Sequence, residues 1–137
     1  KYEFIHTMEG MLELCDAIGT GNVGLLLDCW HWYTSGGTVE EMEKTLTSAD
    51  QVVYVHVNDA PEGIPIDQQI DNVRRLPGET GVIDLVGFLK VLDKIGYEGP
   101  VTPEPFSEKV NKMDDAEEAA LATIKGLNEA WSEAGLD

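Results

Sequence analysis

Two carboxylates and one imidazole follow apolar stretches of the sequence at three separate places. Asp28 comes directly after a run of leucines, His56 lies near the end of a valine-rich run, and Glu104 follows a short run that contains Val101. If these runs are parallel strands, their carboxyl ends meet at the face where α/β sheets and barrels build their sites. Carboxylates and imidazole bind divalent cations such as Mn, Mg, Co and Zn. The pattern therefore predicts a metal site formed by Asp28, His56 and Glu104.

Each of these three residues also has a purely structural interpretation. Asp28 could cap a turn that follows it, His56 could be a hydrogen-bonded core histidine, and Glu104 could be an exposed loop carboxylate. The joint pattern favours the metal site, because three coincidences at three successive strand ends are less probable than any one of them.

The aromatic cluster directly after Asp28 is a candidate wall for a small ligand. Trp30, Trp32 and Tyr33 surround His31 in sequence. Trp30 could line an apolar surface beside the ligand, and His31 could form a hydrogen bond to it. Packing of the aromatic rings in the core or at an interface is the alternative interpretation.

Composition and charge narrow the class of function. The 137 residues are 42% hydrophobic, which is enough for one ordinary globular core, and the formal net charge is −17. This charge opposes binding to nucleic acid. No apolar run approaches the roughly 18 residues of a membrane helix, and there is no secretory signal pattern. The two cysteines have neither metal-site spacing nor a disulfide pattern, which predicts reduced thiols and a cytoplasmic location.

Hydrophobic spacing predicts strict alternation of helices and strands. Helices are expected after Thr7, after the capping box of Thr38 and Glu41, after Asp84, and from about Asp114. The last helix should carry one apolar side, formed by Leu121, Ile124, Leu127 and Trp131. Strands are expected at residues 25–27, 52–57 and 100–103. Residues 58–81 contain too many prolines and glycines for regular structure, and so long a loop is typically functional. The alternation predicts an α/β fold with a parallel sheet. No glycine-rich phosphate loop follows a strand, which argues against a dinucleotide-binding fold.

Three stretches of the sequence resemble the carboxyl-terminal half of the xylose isomerase-like barrel superfamily, in its sugar isomerase and epimerase branch. They are LLLDCWHWYTSGG, VVYVHVNDA and RRLPGETGVIDLVGFLKVLDKIGYEGPVTPEPF. The most specific parts are Asp-x-x-His, His-x-Asn-Asp, Pro-Gly-Glu-x-Gly and the final Glu-Pro-Phe. The resemblance covers about residues 23–106 and implies that residues 1–137 form a single partial domain, the carboxyl-terminal half of a (β/α)8 TIM barrel with about three strands.

The resemblance also implies a site and a mechanism. The family's metal ligands are two glutamates, an aspartate and a histidine, which correspond here to Glu104, Asp28 and His56, with the other glutamate expected on a strand before Lys1. A bound metal would stabilise an enediolate of a small sugar, and Glu104 would be the catalytic acid and base. The resemblance further implies that His31, together with Arg74 or Arg75, holds hydroxyl or oxyanion groups of the substrate.

Three other functions stay open at this point. A dehydratase of inositol-like sugars would use much of the same site. An apurinic endonuclease-like zinc hydrolase needs a further Asp-x-His pair, which should fall in residues 70–75, where there is no histidine. The third possibility is a non-catalytic, oligomerising fragment. Because a half barrel has open sheet edges, we expect homo-oligomers in any of these cases.

Overall fold

The computed structural model describes residues 4–136 and has alternating helices and parallel strands, as predicted. The elements in chain order are α1 (Met8–Ile18), β1 (Leu25–Asp28), α2 (Cys29–Thr34), α3 (Val39–Thr45), β2 (Val52–Val57), α4 (Leu85–Lys94), β3 (Val101–Pro103), α5 (Glu108–Asn111) and α6 (Ala116–Ala134). The short helices α2 and α5 were not predicted. Between β2 and α4 lies the expected long loop, whose regular structure is a 3-10 turn at Ile66–Gln68. Within residues 4–136 no helix is long and apolar enough to cross a membrane.

The three strands form one parallel sheet in the order β1-β2-β3. Asp28 of β1 lies opposite His56 of β2, and His56 lies opposite Thr102 of β3. The carboxyl ends of the strands are therefore level with each other. Since side chains alternate between the two faces of a strand, Glu104 follows on the same side as Thr102.

Polar caps set the beginnings of the predicted helices. The side chain of Thr7 accepts a hydrogen bond from the backbone of Gly10 at the start of α1, and Thr38 and Glu41 form the predicted capping box of α3. Asp84 accepts from Gly87 at the start of α4. These caps satisfy backbone N–H groups that have no partner within the helix.

The core lies between the sheet and the helices α3 and α4. Its centre is formed by fully buried apolar side chains from these elements, among them Met42, Val55, Val57, Phe88 and Leu89. Trp32 joins this core, with its ring centroid 5.4 Å from that of Phe88. Trp32 thus has the structural role that was the alternative for the aromatic cluster.

Helix α6 buries a narrower stripe than its sequence predicts. Leu127 is buried, but Leu121, expected on the same inner side, is 61% exposed. With 3.6 residues per turn, Leu121 lies about a third of a turn around the helix from Leu127. In the described part of the chain α6 packs against α4, α5 and β3, and these elements cover the side with Leu127 and Ala130.

Candidate metal centre

Asp28 is placed at the end of β1 by the pairing of this strand with β2, and its two oxygens have different partners. Oδ1 accepts hydrogen bonds from the backbone N–H groups of Trp30 at 2.8 Å and His31 at 3.1 Å, which caps α2. Oδ2 lies 3.7 Å from Nδ1 of His56. The carboxylate therefore both caps a helix and presents one oxygen to the strand-end face, so the structural interpretation and the proposed site do not exclude each other.

The structure brings His56 and Glu104 to the same place as Asp28. Nδ1 of His56 lies 3.6 Å from Oε1 of Glu104, and one potential ligand atom from each of the three residues lies within 4.8 Å of the others. Asp28 is buried, whereas Glu104 is 31% exposed and gives the group contact with solvent. Two carboxylate oxygens and an imidazole nitrogen that face one point fit a divalent cation of the Mn, Mg, Co or Zn type.

Arg74 enters this group from the long loop. Its side chain is 2% exposed, and Nη1 donates to Asp28 Oδ2 at 2.9 Å and to Glu104 Oε2 at 2.8 Å. Nη2 donates to Asp71 Oδ1 at 2.7 Å. Burial on its own would lower the pKa of Arg74, but the hydrogen bond to Asp71 and the charges of Asp28 and Glu104 outweigh it and raise the pKa. The guanidinium is therefore a permanent cation between two carboxylates.

Arg75 lies outside the group formed by the three predicted ligands. Its Nη1 donates to the carbonyl oxygen of Arg74 at 3.1 Å, and its backbone pairs with that of Asp59. Of the two arginines that the sequence offered, the structure places Arg74 at the site and Arg75 beside the loop backbone.

His31 and Trp30 lie on the α2 side of Arg74. His31 is 60% exposed, and its Nε2 is 3.4 Å from Nη2 of Arg74 and 3.5 Å from Oδ1 of Asp71. The buried ring of Trp30 has its centroid 4.8 Å from Cζ of Arg74, and it meets the His31 ring edge-on at 5.1 Å. His31 thus exposes a polar ring edge to solvent at the rim of the site. The ring of Trp30 packs against the guanidinium of Arg74.

Asp59 anchors the loop that carries Arg74, a role that the sequence analysis did not assign. This fully buried carboxylate accepts four backbone hydrogen bonds. The donors are Ala60 at 2.8 Å and Ile83 at 3.0 Å to Oδ1, and Thr80 at 2.8 Å and Gly81 at 2.7 Å to Oδ2. The signal was present, because Asp59 is the last residue of the His-x-Asn-Asp motif.

Asn58, next to Asp59, connects the end of β2 to the end of β1 through hydrogen bonds with Cys29. Its backbone N–H donates to Sγ of Cys29 at 3.0 Å, and the thiol donates back to the Asn58 carbonyl at 3.2 Å. In the amide orientation that satisfies its neighbours, the Asn58 side chain accepts from Nη1 of Arg74 at 2.9 Å. Burial raises the pKa of the Cys29 thiol, so Cys29 is a structural residue and a poor nucleophile at neutral pH.

Known proteins match this chain over most of its length. A family model described as xylose isomerase-like TIM barrel matches residues 1–130. An inosose isomerase from Halalkalibacterium halodurans is 33% identical over 121 residues, which are 88% of this chain and 41% of that protein. A ketose 3-epimerase from Arthrobacter globiformis is 29% identical over 119 residues, which are 83% of this chain and 35% of that protein.

A solved structure agrees with the same assignment. The crystal structure of an IOLI protein with a bound zinc atom superimposes with a TM-score of 0.82 at 29% identity, and the match covers 95% of this chain and 45% of that one. In all three comparisons this chain spans less than half the length of the relative.

Proposed function

This chain belongs to the xylose isomerase-like TIM barrel family, and from that premise we propose that it is the carboxyl-terminal half of a divalent-metal-dependent sugar isomerase or epimerase. In this proposal residues 1–137 are a single partial domain of a (β/α)8 barrel. The observation that carries the proposal is the convergence of Asp28, His56 and Glu104 at three level strand ends. The names of the inosose isomerase and ketose 3-epimerase relatives support the sugar as substrate class.

Asp28, His56 and Glu104 would hold the metal ion. Asp28 would use Oδ2, since Oδ1 is committed to the cap of α2, and Glu104 would use Oε1, which faces Nδ1 of His56. A divalent ion at this position supplies a Lewis acid that polarises adjacent oxygens of a carbonyl substrate.

Glu104 is the residue that we assign to proton transfer at the carbon next to the carbonyl. It is the most exposed of the three ligands, so a substrate can approach its carboxylate from solvent. Nη1 of Arg74 donates to Oε2 of Glu104, whereas Oε1 lies on the side of His56. In an isomerisation Glu104 would return that proton to the neighbouring carbon. In an epimerisation a second acid, on the opposite face of the sugar, would have to supply the proton.

His31, Trp30 and an arginine complete the sugar site in this proposal. The exposed imidazole of His31 can exchange hydrogen bonds with sugar hydroxyls, and Trp30 lies directly behind it. Arg74 is our choice between the two arginines, because its guanidinium lies against Asp28 and Glu104. A cation of this kind suits an oxygen that becomes negative during enolisation.

Calorimetric titration with MnCl2 and ZnCl2 tests the metal site on the chain itself. We expect micromolar binding that Asp28→Asn and His56→Ala each weaken more than about a hundredfold, since loss of an outer partner alone costs about 10–100-fold. Asn keeps the oxygen that caps α2, so the first variant removes a ligand without removing the cap. Asp93→Asn and His6→Ala are the matched controls. Equal affinity in all five proteins would contradict the proposed site.

A further inference from the structure

Asp71 lies at the rim of the candidate metal centre and contacts Arg74 through two of its groups. Its backbone carbonyl accepts a hydrogen bond from Nε of Arg74 at 2.7 Å, and Oδ1 of its side chain accepts one from Nη2 at 2.7 Å. Nη1 of the same guanidinium donates to Asp28 and Glu104. One planar guanidinium therefore bridges the carboxylate of Asp71 and the two carboxylates of the metal centre.

The carboxylate of Asp71 is open to solvent in spite of this contact. Its side chain is 66% exposed, and among residues 4–136 its Oδ2 accepts no hydrogen bond. Oδ1 lies 3.5 Å from Nε2 of His31, whose side chain is 60% exposed. Asp71 and His31 therefore form one exposed polar edge on the outer side of Arg74.

The charges around Arg74 favour an uncharged substrate. Asp28, Glu104 and Asp71 place three negative charges within hydrogen-bonding distance of one guanidinium. A divalent ion at the metal centre, together with Arg74, would balance these three charges. An anionic substrate would add a charge that this set of groups does not offset, whereas the hydroxyl groups of a neutral substrate can donate hydrogen bonds to a carboxylate.

We propose that Asp71 is a specificity-determining residue of the sugar site, which binds substrate hydroxyls through Oδ2 and disfavours anionic substrates. The inference rests on the proposed function. A ketose with its carbonyl at the metal centre would extend past Arg74 toward the rim, where the carboxylate accepts hydrogen bonds from hydroxyls far from the reacting carbon. This role adds to those of Arg74 and His31, which contact the same substrate in the proposed function.

Saturation-transfer NMR on the zinc-loaded chain tests this role with two probes of matched size. The probes are D-fructose and D-fructuronate, in which a carboxylate replaces the CH2OH group farthest from the ketone. We expect Asp71→Ala to weaken fructose binding about tenfold, because a charge-assisted hydrogen bond is lost. Asp71→Asn should bind fructuronate about tenfold more tightly than the unaltered chain, because a like charge is removed. Asp93→Asn, at an exposed carboxylate near the end of α4, is the matched control and should change neither affinity.

The asparagine variant separates specificity from a structural effect on Arg74. Its amide keeps an oxygen for Nη2 of Arg74, so a gain in fructuronate affinity cannot come from a misplaced guanidinium, and added salt should reduce that gain by screening the charge of Asp71. If Asp71→Ala loses fructose but Asp71→Asn gains no fructuronate, or if neither affinity changes, the specificity role is overturned and the metal centre stands. If the unaltered chain binds zinc but neither probe, the proposed sugar site falls together with the role.

Discussion

Single carboxylates in this protein divide their oxygens between a structural and a chemical partner. Asp28 gives one oxygen to the backbone of α2 and the other to the strand-end group, and Glu104 gives one to Arg74 and the other to His56. Because one oxygen of each carboxylate is held by a structural hydrogen bond, the carboxylate cannot rotate. The other oxygen therefore stays directed at the site. Rigidity of the site thus comes from the bonds on its outer side.

Removal of the Glu104 charge should abolish proton transfer while leaving the fold unchanged. We expect Glu104→Gln to slow exchange of the hydrogen next to a ketose carbonyl with deuterium from solvent by about 10²–10⁴-fold, the usual contribution of a positioned base. The protein for this measurement is a hybrid barrel in which this chain replaces the corresponding half of the inosose isomerase relative, followed by proton NMR in D2O with added MnCl2. Glu98→Gln, at an exposed glutamate in the loop before β3, is the control. Equal exchange rates in both variants would exclude Glu104 as the base.

At the scale of elements, local sequence patterns were enough to predict a helix wherever a capping residue and an apolar stripe occur together. Thr38 with Glu41 and Asp84 begin their helices as predicted. Helix α2 was missed because its six residues are too few for a periodic pattern, and its only sequence signal is the capping side chain of Asp28. The choice between Arg74 and Arg75 could not be made from sequence either, since it depends on how the loop pairs with Asp59 and Phe106.

The contact between α6 and the long loop depends on the absence of a side chain at Gly126. A Cβ atom at this position would overlap the carbonyl oxygen of Pro77, and a backbone oxygen cannot rotate aside. Although alanine favours a helix by about 1 kcal/mol over glycine, we expect Gly126→Ala to lower the free energy of unfolding by about 2 kcal/mol, because overpacking costs more. Urea denaturation followed by circular dichroism measures this difference.

Gly10 in α1 provides the matched control for this substitution. A Cβ atom there would meet side-chain atoms of Thr7 at 3.3 Å and Ile5 at 3.4 Å, and both side chains can adjust. Gly10→Ala should therefore be neutral or should stabilise the chain by up to about 1 kcal/mol. If both alanine variants have the same free energy of unfolding, α6 does not pack against the loop in the way described.

The whole molecule combines a strongly negative charge with uncovered apolar surface on its sheet. In the described part of the chain β1 and β3 are each paired on one side only, which leaves two sheet edges. Leu26, on the face of β1 that also carries Asp28, is 56% exposed. In the proposed (β/α)8 barrel, further strands would enclose this face.

We expect copies of this chain to associate through that face, against the repulsion of their charges of −17 each. Raising the salt concentration from about 0.01 M to 1 M shortens the Debye length from about 30 Å to 3 Å, so the mass measured by light scattering at micromolar protein should rise to at least twice that of one chain. Leu26→Lys should return it to the mass of a monomer, because it places a charge on the apolar face. Ile18→Lys changes another exposed apolar residue, at the end of α1, and should leave association unaffected. A monomeric mass at every salt concentration would show that this surface does not bind a second copy.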